Sequence, residues 1–558
     1  MEFSRSTLQA LEKGLDLKIA YVEGDDQMNR VGQILDGIKS GTYRHIDKEN
    51  SKVRLAENTL AFVDDPDGMP IVCANAYLGY RAIKKGLDDG ADIIICGRVS
   101  DTSPVIAAAA WWHQWSETDY DLLAGALVAG HLIECSTYVT GANFAGGYQY
   151  PVEALMDLGL PIVEVFPDGQ CVVTKHEALK GLVTSDTVKC QLLYEIQGNI
   201  FLHSDVKANL ANATVTQESV NRVRVSGVSG HPPPPTTKLA VFYRGGYQCE
   251  ILVNANGYAT GWKYDFHEAQ LRSKLEEWDL IDKFDVLDFQ RVGRPMENPD
   301  SQLASTTYMR IFAQAKTGDT LKGLLDAWLH NGMAHFAGRS ILEQIMRRLR
   351  GCFLTFKLSV GMHYSLDFRT AMPRPFVGFY PALIPQSELE ESVSIITADG
   401  ALQRSNTGPP LRTEPVQLRE NYEPTRPVPL DWFGPTAQRP LGDIVLGRSG
   451  DKGGNINCGL YVQTADQWDW LRSFLTRGRI KELMGKDWRE RYFVERVELP
   501  HIYAVHYVIY GPLGTGVSSS KLLDNLGKGF AEFIRAVHVP LPTRFLEGAE
   551  LGEEAMLS

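Results

Sequence analysis

The chain has 558 residues, of which 44% are hydrophobic and 22% charged, and its formal net charge is −12. This length exceeds one ordinary hydrophobic core, so it predicts two or three domains of a folded rather than a disordered protein. The acidic balance and the lack of a basic stripe exclude nucleic acid as the expected partner. The basic stretch of Arg347, Arg348 and Arg350 ends a helical pattern, where cations complement the helix terminus.

The sequence holds no run of roughly 18 to 20 apolar residues that could span a bilayer, and its first residues lack the apolar core of a secretory signal. Its eight cysteines stand singly, without a C-x-x-C pair, which argues against a disulfide framework and against a thiolate zinc site. We therefore expect a cytoplasmic protein with no membrane partner, and a homo-oligomer.

The first part of the chain alternates apolar runs with amphipathic stretches. The apolar runs predict strands over 17–22, 71–74 and 92–96, and the 3.6-residue spacing predicts helices over 76–87, 105–112 and 120–135. Such alternation is typical of an α/β domain with a mostly parallel sheet, in which ligands bind at the carboxyl ends of the strands.

The pattern then changes to shorter elements. We predict strands over 161–166, 222–228 and 238–242, and helices over 321–329 and 340–350. Residues 386–437, rich in Pro, Glu, Ser and Thr, predict an extended and partly disordered linker.

The last part of the chain predicts a compact α+β unit. A hairpin flanks 447–455 and is followed by a helix over 467–484, strands over 492–499 and 503–510, and a helix over 518–537. This order favours a ferredoxin-like domain. We therefore assign an α/β domain with a mixed, β-rich extension to 1–385, a linker to 386–437 and the ferredoxin-like domain to 438–546.

The motif GRVSD follows the predicted strand 92–96. Gly97 permits a tight turn, Arg98 can bind a carboxylate or phosphate through its guanidinium, and Asp101 can cap the next helix or orient a ligand hydroxyl. A purely structural role, with Asp101 as an N-cap and Arg98 in an ion pair, is the alternative.

Gly24, Asp25 and Asp26 follow the first predicted strand. Two adjacent carboxylates can bind a divalent cation or act as a general base, or they can be solvated acids that begin the next turn.

His131, Glu134 and Cys135 lie at helical spacing on the helix predicted over 120–135, so they are expected to share a face. His131 and Glu134 can form an acid–base pair or bind a metal, or make a buried structural hydrogen bond. No second histidine completes a zincin motif. Cys135 lies near the end of its helix, so it is not predicted to be a nucleophile.

The motif GRSGDKGGN at Gly447–Asn455 lacks the P-loop pattern. Its glycines, Gly453 among them, can form an anion-binding nest, with Arg448 and Lys452 supplying positive charge, Asp451 balancing it and Asn455 adding a neutral donor. A hairpin turn needs only about two such residues. The motif therefore predicts ligand binding or interdomain docking.

Several stretches resemble the acyclic terpene utilisation A (AtuA) family, and these are LKIAYVEGDD, CANAYLGYRAIKKGLDDGADIIICGRVSD, AGHLIECSTYVTGANFAGG and VKCQLLYEIQG. The later stretch PLGDIVLGRSGDKGGNINCGLYV resembles the ferredoxin-like domain of that family. The positions that match the family motifs are Gly24, Asp25, Asp26, Asn75, Gly97, Arg98, Asp101, Glu134, Gly141, Arg448, Asp451, Lys452, Gly453 and Asn455.

The resemblance implies a link to the degradation of geraniol- and citronellol-type acids through coenzyme A thioesters. Two departures from the family pattern bear on substrate binding. Family members usually begin with a further strand and helix, which this sequence does not show before residue 17, and residues 174–179 read TKHEAL where relatives are rich in glycine.

From these observations we expect an enzyme of lyase or hydratase type. It would act on a small-molecule carboxylate or coenzyme A thioester, by hydration, dehydration or carbon–carbon lysis. Asp26 or Glu134 is the expected base, His131 its partner or the acid, and Arg98, assisted by Asp101, the anion clamp. Substrate-binding roles are expected for Gly24, Asp25, Asn75, Gly97, Arg448, Asp451, Lys452, Gly453 and Asn455.

Two alternatives remain open. The first is a non-catalytic subunit or scaffold for acyl-CoA carboxylase-type partners. The second is a metal-dependent hydrolase that would hold a divalent cation through Asp25, Asp26, His131 and Glu134. The leading hypothesis requires no cofactor other than the thioester substrate.

Overall fold

The computed structural model describes residues 13–14, 17–331, 358–360, 362–364, 368–396 and 402–546. The helix predicted over 340–350, with its three arginines, lies outside these residues. The helices α1 to α12 are Val31–Ser40, Ala61–Asp64, Arg81–Asp88, Ser103–Trp112, Tyr120–Ile133, Ser185–Leu192, Thr260–Glu277, Gly318–His330, Phe368–Ala371, Ala465–Phe474, Arg477–Met484 and Phe530–Ala536.

The strands follow the same chain order. Strands β1 to β12 are Ile19–Glu23, Ile71–Ala76, Ile93–Cys96, Pro161–Val165, Cys171–Lys175, Ile200–Leu202, Lys207–Asn209, Thr214–Ser219, Arg222–Ser226, Ser229–His231, Thr236–Asn256 and Phe284–Val292. Strands β13 to β24 are Thr306–Ala315, Leu358–Val360, Met362–Tyr364, Arg374–Pro385, Ser392–Ile396, Leu402–Asn406, Thr436–Pro440, Leu446–Lys452, Asn455–Tyr461, Phe493–Leu499, Ala504–Tyr510 and His538–Pro542.

The first sheet has the order β18–β17–β1–β3. Strand β1 runs parallel to β3 and antiparallel to β17. Its residues Ile19, Ala20 and Val22 are buried, as expected of an apolar run. The α/β class predicted from the alternation of strands and helices is therefore confirmed.

The mostly parallel character is confirmed only in part. Among the named strands of the described residues, β1 and β3 form the one parallel ladder. Strand β2 lies between them in the chain and was expected in the same sheet. It instead pairs antiparallel with β11 in a second sheet. That sheet has the order β12–β13–β11–β16, and its longest strand is the 21-residue β11. The apolar alternation of β2 fits either sheet, so periodicity alone does not choose the partner.

The segment 386–437, expected to be a linker, contributes two strands to the first sheet. Strand β17 pairs with β1 from Ser392 to Ile396, and β18 pairs with β17. Glu391, next to β17, lies buried against Arg81 of α3. These contacts tie the segment to the first part of the chain. The domain boundaries themselves stay a prediction.

The C-terminal unit is built on an antiparallel sheet of order β20–β21–β23–β22. The helix predicted over 467–484 divides into α10 and α11, because Thr476 accepts a hydrogen bond from the backbone N–H of Arg479 and so caps a new helix. The helix predicted over 518–537 begins only at Phe530. Gly527, with φ of +61°, and the turns before it interrupt the helical spacing.

The C-terminal sheet packs directly on the first part of the chain. Gly459 leaves room for Leu193, since a Cβ there would approach the Leu193 Cβ to 2.6 Å, and a Cβ at Gly450 would overlap the Tyr194 ring. Leu446 and Tyr461 belong to the same continuous hydrophobic core as β1 and α5. The two parts therefore share a core rather than meeting across a wet surface.

We expect Gly450→Ala to lower the free energy of unfolding by about 1–3 kcal/mol, because the Tyr194 ring occupies the space that a methyl group would need. Urea denaturation followed by tryptophan fluorescence measures this change. The matched control is Gly478→Ala, at an exposed position of α11 with room for a methyl group. There alanine favours the helix and leaves stability equal or higher. Equal effects of the two changes would contradict the packing described here.

Candidate functional site

The GRVSD motif is held in place by Asp25. Its Oδ2 accepts hydrogen bonds from the backbone N–H of Arg98 at 2.7 Å and from Asn75 Nδ2 at 2.9 Å. Gly97 has no room for a side chain, because a Cβ would overlap the Asp25 carboxylate. Asp25, Asn75 and Gly97, all expected to bind substrate, are thus seen here fixing the loop that carries Arg98.

Gly24 and Asp26 flank this anchor. Gly24 has φ of +109° and packs against the backbone carbonyl of Glu390, where a Cβ would not fit. Asp26 is exposed, and its Oδ1 accepts a hydrogen bond from the backbone N–H of Met28 at 2.9 Å. This is the geometry of the solvated turn acid that the sequence left open as the alternative to a base.

Arg98 and Asp101 both point to solvent, with 45% and 58% of their side chains exposed, and their nearest charged atoms are 3.4 Å apart. The Arg98 guanidinium lies 5.1 Å from the centre of the Tyr77 ring. The amine of Lys238, which enters from β11, lies 3.8 Å from the centre of the same ring. Two cations therefore converge on one aromatic side chain.

Lys238 is the most perturbed base at this place. Burial lowers its pKa to about 7, and the positive charges of Lys452 and Arg98 act in the same direction, against the acids Glu195 and Asp101. Its amine has neither a hydrogen bond nor an ion pair with any residue that the structure describes. An amine with this pKa is largely neutral slightly above pH 7 and can take up a proton.

The expected arrangement of His131, Glu134 and Cys135 on one helical face is wrong. Helix α5 ends at Ile133, Glu134 is extended, and Cys135 has φ of +62°. His131 is 2% exposed with its ring edge on Phe201, and burial lowers its pKa to about 4. It is thus a buried neutral ring. Within the described residues its Nε2 has no hydrogen-bond partner, and so none to Glu134.

Glu134 contacts its neighbour Cys135 instead. It accepts a hydrogen bond from Cys135 Sγ at 3.0 Å. Burial raises the pKa of Glu134, as do the nearby charges of Glu195 and Asp101. Burial and Glu134 raise the pKa of the Cys135 thiol to about 12, which agrees with the expectation that it is no activated nucleophile.

Three non-glycine residues with left-handed backbone lie near these groups. Cys135, Ser136 and Glu195 are non-glycine residues with φ of +62°, +61° and +57°. Such conformations each cost on the order of 1 kcal/mol or more and are common at functional sites. Glu195 in turn lies 3.9 Å from Lys452 of the second motif.

The second motif is a hairpin rather than a nine-residue loop. Residues 447–452 belong to β20, Asn455 begins β21, and only Gly453 and Gly454 form the turn, with φ of +65° at Gly453. The strands account for most of the glycines, because glycine lets this sheet approach the first part of the chain.

The charged and amide side chains of this hairpin divide into two groups. Arg448 and Asn455 are buried: Arg448 Nη1 donates to the backbone carbonyl of Asn143 at 2.6 Å, and Asn455 Nδ2 donates to Asp47 at 2.9 Å. Asp451 and Lys452 are partly exposed. Burial and the charge of Glu195 raise the pKa of Asp451. The first two residues dock the hairpin, and the last two stay partly exposed beside Glu195.

Residues from both motifs thus surround one place, which we call the charged cluster, and it consists of Arg98, Asp101, Glu134, Glu195, Lys238 and Lys452. Sequence reasoning missed Lys238 and Glu195. The signal for Lys238 was a single charge at the start of the apolar strand 238–242. In the part of the chain that the structure describes, no three His, Cys, Asp or Glu side chains are grouped as metal ligands would be.

No described helix is long and apolar enough to cross a membrane. Comparison with known families matches residues 4–395 to the acyclic terpene utilisation family protein AtuA. The chain belongs to the AtuA family. Residues 439–540 match the AtuA ferredoxin-like domain, so the expected family and its C-terminal domain are both confirmed. No curated protein and no solved structure gave a match. AtuA membership links the chain to acyclic terpene utilisation.

For this AtuA protein we expect Lys238→Met to be more stable than the natural chain at pH 7.5, by on the order of 1 kcal/mol. The pKa of Lys238 falls from about 10.5 when unfolded to about 7 when folded. Between these values the unfolded chain binds a proton that the folded one does not, so stability is lost as pH falls and regained as pH rises.

Lys238→Met therefore removes the loss of folding stability that comes from the lowered pKa of Lys238, and this loss is greatest at and below pH 7. Urea denaturation between pH 7 and 10 measures both the higher free energy of unfolding of the variant and its weaker dependence on pH. Lys39→Met, at an exposed position of α1, is the control and should leave both unchanged. A Lys238→Met variant that is less stable at every pH would refute the lowered pKa.

Proposed function

We propose that this protein is an enzyme that acts on a carboxylated substrate, or on its coenzyme A thioester, in acyclic terpene metabolism. The reaction we infer is hydration, dehydration or carbon–carbon lysis next to a carbonyl group. One observation carries the proposal: the Arg98 guanidinium and the Lys238 amine lie by the same Tyr77 ring. The charges of Arg98, Asp101 and Lys452, about 350 positions apart in the sequence, all affect the pKa of that amine.

Each of these reactions begins when a proton, or a carbon group, leaves the carbon beside a carbonyl. The step needs a base that is unprotonated near neutral pH and positive groups that stabilise the enolate oxygen. Lys238 meets the first need, because its pKa is lowered to about 7. Lys452 meets the second, while Arg98 is kept for the substrate carboxylate. Lys238 thus takes the role of base that the sequence had suggested for Asp26 or Glu134.

Glu134 suits the role of the acid. Its raised pKa keeps a share of its carboxyl protonated closer to neutral pH, so it can donate a proton to a hydroxyl group that leaves as water. In the reverse direction its carboxylate takes a proton from water. His131 is too deeply buried to touch a substrate, and we assign it no step.

Arg98 is the proposed binding residue for the substrate carboxylate. Its guanidinium is 45% exposed and has one loose ion pair, to Asp101 at 3.4 Å, besides the Tyr77 ring, so its donors are available to an anion. Asp25, Asn75 and Gly97 hold its loop and act as positioning residues. Arg448 and Asn455 do the same for the hairpin that carries Asp451 and Lys452.

The test is to incubate the purified full chain with a panel of enoyl-, hydroxyacyl- and oxoacyl-CoA thioesters and with the free acids, hydroxy-oxo acids among them, and to follow products by mass spectrometry. We expect turnover of at least one branched member. Lys238→Gln should lower kcat/KM by about 10²–10⁴-fold, as expected when a general base is lost. Arg98→Gln should raise KM by about 10-fold or more, because it removes a charged contact to the bound substrate.

Two controls separate these effects from misfolding. Lys189→Gln replaces another buried lysine, and Arg222→Gln replaces an arginine in a surface ion pair with Glu164. Both should keep kcat/KM within about 3-fold. Absence of turnover and of binding across the panel would refute the enzyme and leave the scaffold for acyl-CoA carboxylase-type partners as the better account.

A further inference from the structure

The amine of Lys238 is placed for more than proton transfer. A neutral lysine amine is a nucleophile toward ketones and aldehydes, and enzymes obtain one by desolvation or by placing a second cation beside it. Lys238 has both: it is partly buried on β11, and the charges of Lys452 and Arg98 act on it. Its position over the face of Tyr77 leaves its nitrogen without a hydrogen-bond partner among the described residues.

The other buried lysines among the described residues do not combine these features. Lys175 donates to the backbone carbonyl of His176, and Lys207 donates to the carboxylate of Glu414 at 2.9 Å, so both amines are engaged in hydrogen bonds. Lys189 lies over two aromatic rings, at 5.8 Å from each centre, and burial lowers its pKa too. The charge that acts on it is that of Asp186, an anion that raises its pKa, whereas cations act on Lys238.

We propose that Lys238 forms an imine with the ketone or aldehyde group of an oxo acid whose carboxylate binds Arg98, and that the imine drives carbon–carbon lysis. This inference rests on the proposed function and selects lysis among its three reactions. It adds a substrate class, a hydroxy-oxo acid, and a covalent intermediate on a residue of the second sheet.

The chemistry balances without an oxidant or a reductant. The Lys238 nitrogen bonds to the carbonyl carbon, and Glu134 gives a proton to the resulting hydroxyl, which leaves as water and yields the protonated imine. The Glu134 carboxylate then takes the proton of the substrate's β-hydroxyl group. The carbon–carbon bond breaks, its electron pair moves toward the imine nitrogen to form an enamine, and one carbonyl product departs. Reprotonation of the enamine carbon and addition of water release the second product and the free amine.

In this proposal the exposed cation beside the Lys238 amine, Arg98, binds the carboxylate of the substrate. The Arg98 guanidinium and the Lys238 amine both lie by the Tyr77 ring, and we place the carboxylate of the acid on Arg98 and its carbonyl group at the amine. Asp101 and Glu195 balance the positive charge, which otherwise would lower the pKa of Lys238 further. A ketone that lacks a carboxylate should therefore react more slowly than an oxo acid.

The experiment traps the imine in the full-length protein. The chain is incubated with 4-oxopentanoate, which cannot be cleaved by this route, reduced with sodium borohydride, digested and examined by peptide mass spectrometry. We expect a reduced adduct on Lys238 at least 10-fold above that on Lys189. Pentan-2-one, the same ketone without the carboxylate, should label about 10-fold less. Arg98→Gln should bring 4-oxopentanoate down to the level of pentan-2-one.

Matched variants decide between the outcomes. Lys238→Arg should lose the adduct, while Lys189→Arg should keep it in full. If Lys238 remains unlabelled while the thioester panel shows turnover, the imine is refuted and the proposed function stands. Equal labelling of Lys189 and Lys238, or of the two ketones, would also overturn the imine. Absence of both turnover and binding across the panel refutes the proposed function, whatever the adduct shows.

Discussion

The guanidinium of Arg448 lies between the rings of Tyr138 and Tyr194, at 4.4 and 4.3 Å from their centres, and the site depends on this contact. A buried arginine without a carboxylate partner would be costly, but two aromatic faces and the carbonyl of Asn143 offset part of the desolvation. Successive residues of a strand alternate between faces, so Arg448, Gly450 and Lys452 share one face of β20. When Arg448 packs between the two tyrosine rings, Lys452 therefore also lies at the charged cluster.

The other half of the cluster depends on a carboxylate. Asp25, at the end of β1, accepts hydrogen bonds from the backbone of Arg98 and the amide of Asn75, and so fixes three segments of the first part of the chain. A cluster assembled in this way exists only when both parts of the chain are folded and docked. The left-handed backbone of Cys135 and Glu195 is held there by the same packing.

Much of this architecture could be predicted from the sequence, and the exceptions have physical reasons. Apolar periodicity located β1, β3 and α5, and the density of glycine and charge located both motifs. Periodicity does not choose strand partners, so the pairing of β2 with β11 was missed. Nothing in the sequence marks the end of α5 at Ile133, because no Gly or Pro follows it. Lys238 was missed because a lysine that begins a strand usually lies in solvent, and only the tertiary fold covers it.

The central claim is that both motifs act on Lys238, and its pKa tests this most directly. The pH dependence of Lys238 acetylation by acetic anhydride, read by peptide mass spectrometry, gives that pKa in the natural chain and in Lys452→Gln. We expect half-maximal labelling near pH 7 in the natural chain and a clear upward shift in the variant, because the variant lacks a neighbouring cation. An identical pKa in the two proteins, or one near 10.5 in the natural chain, would contradict the account.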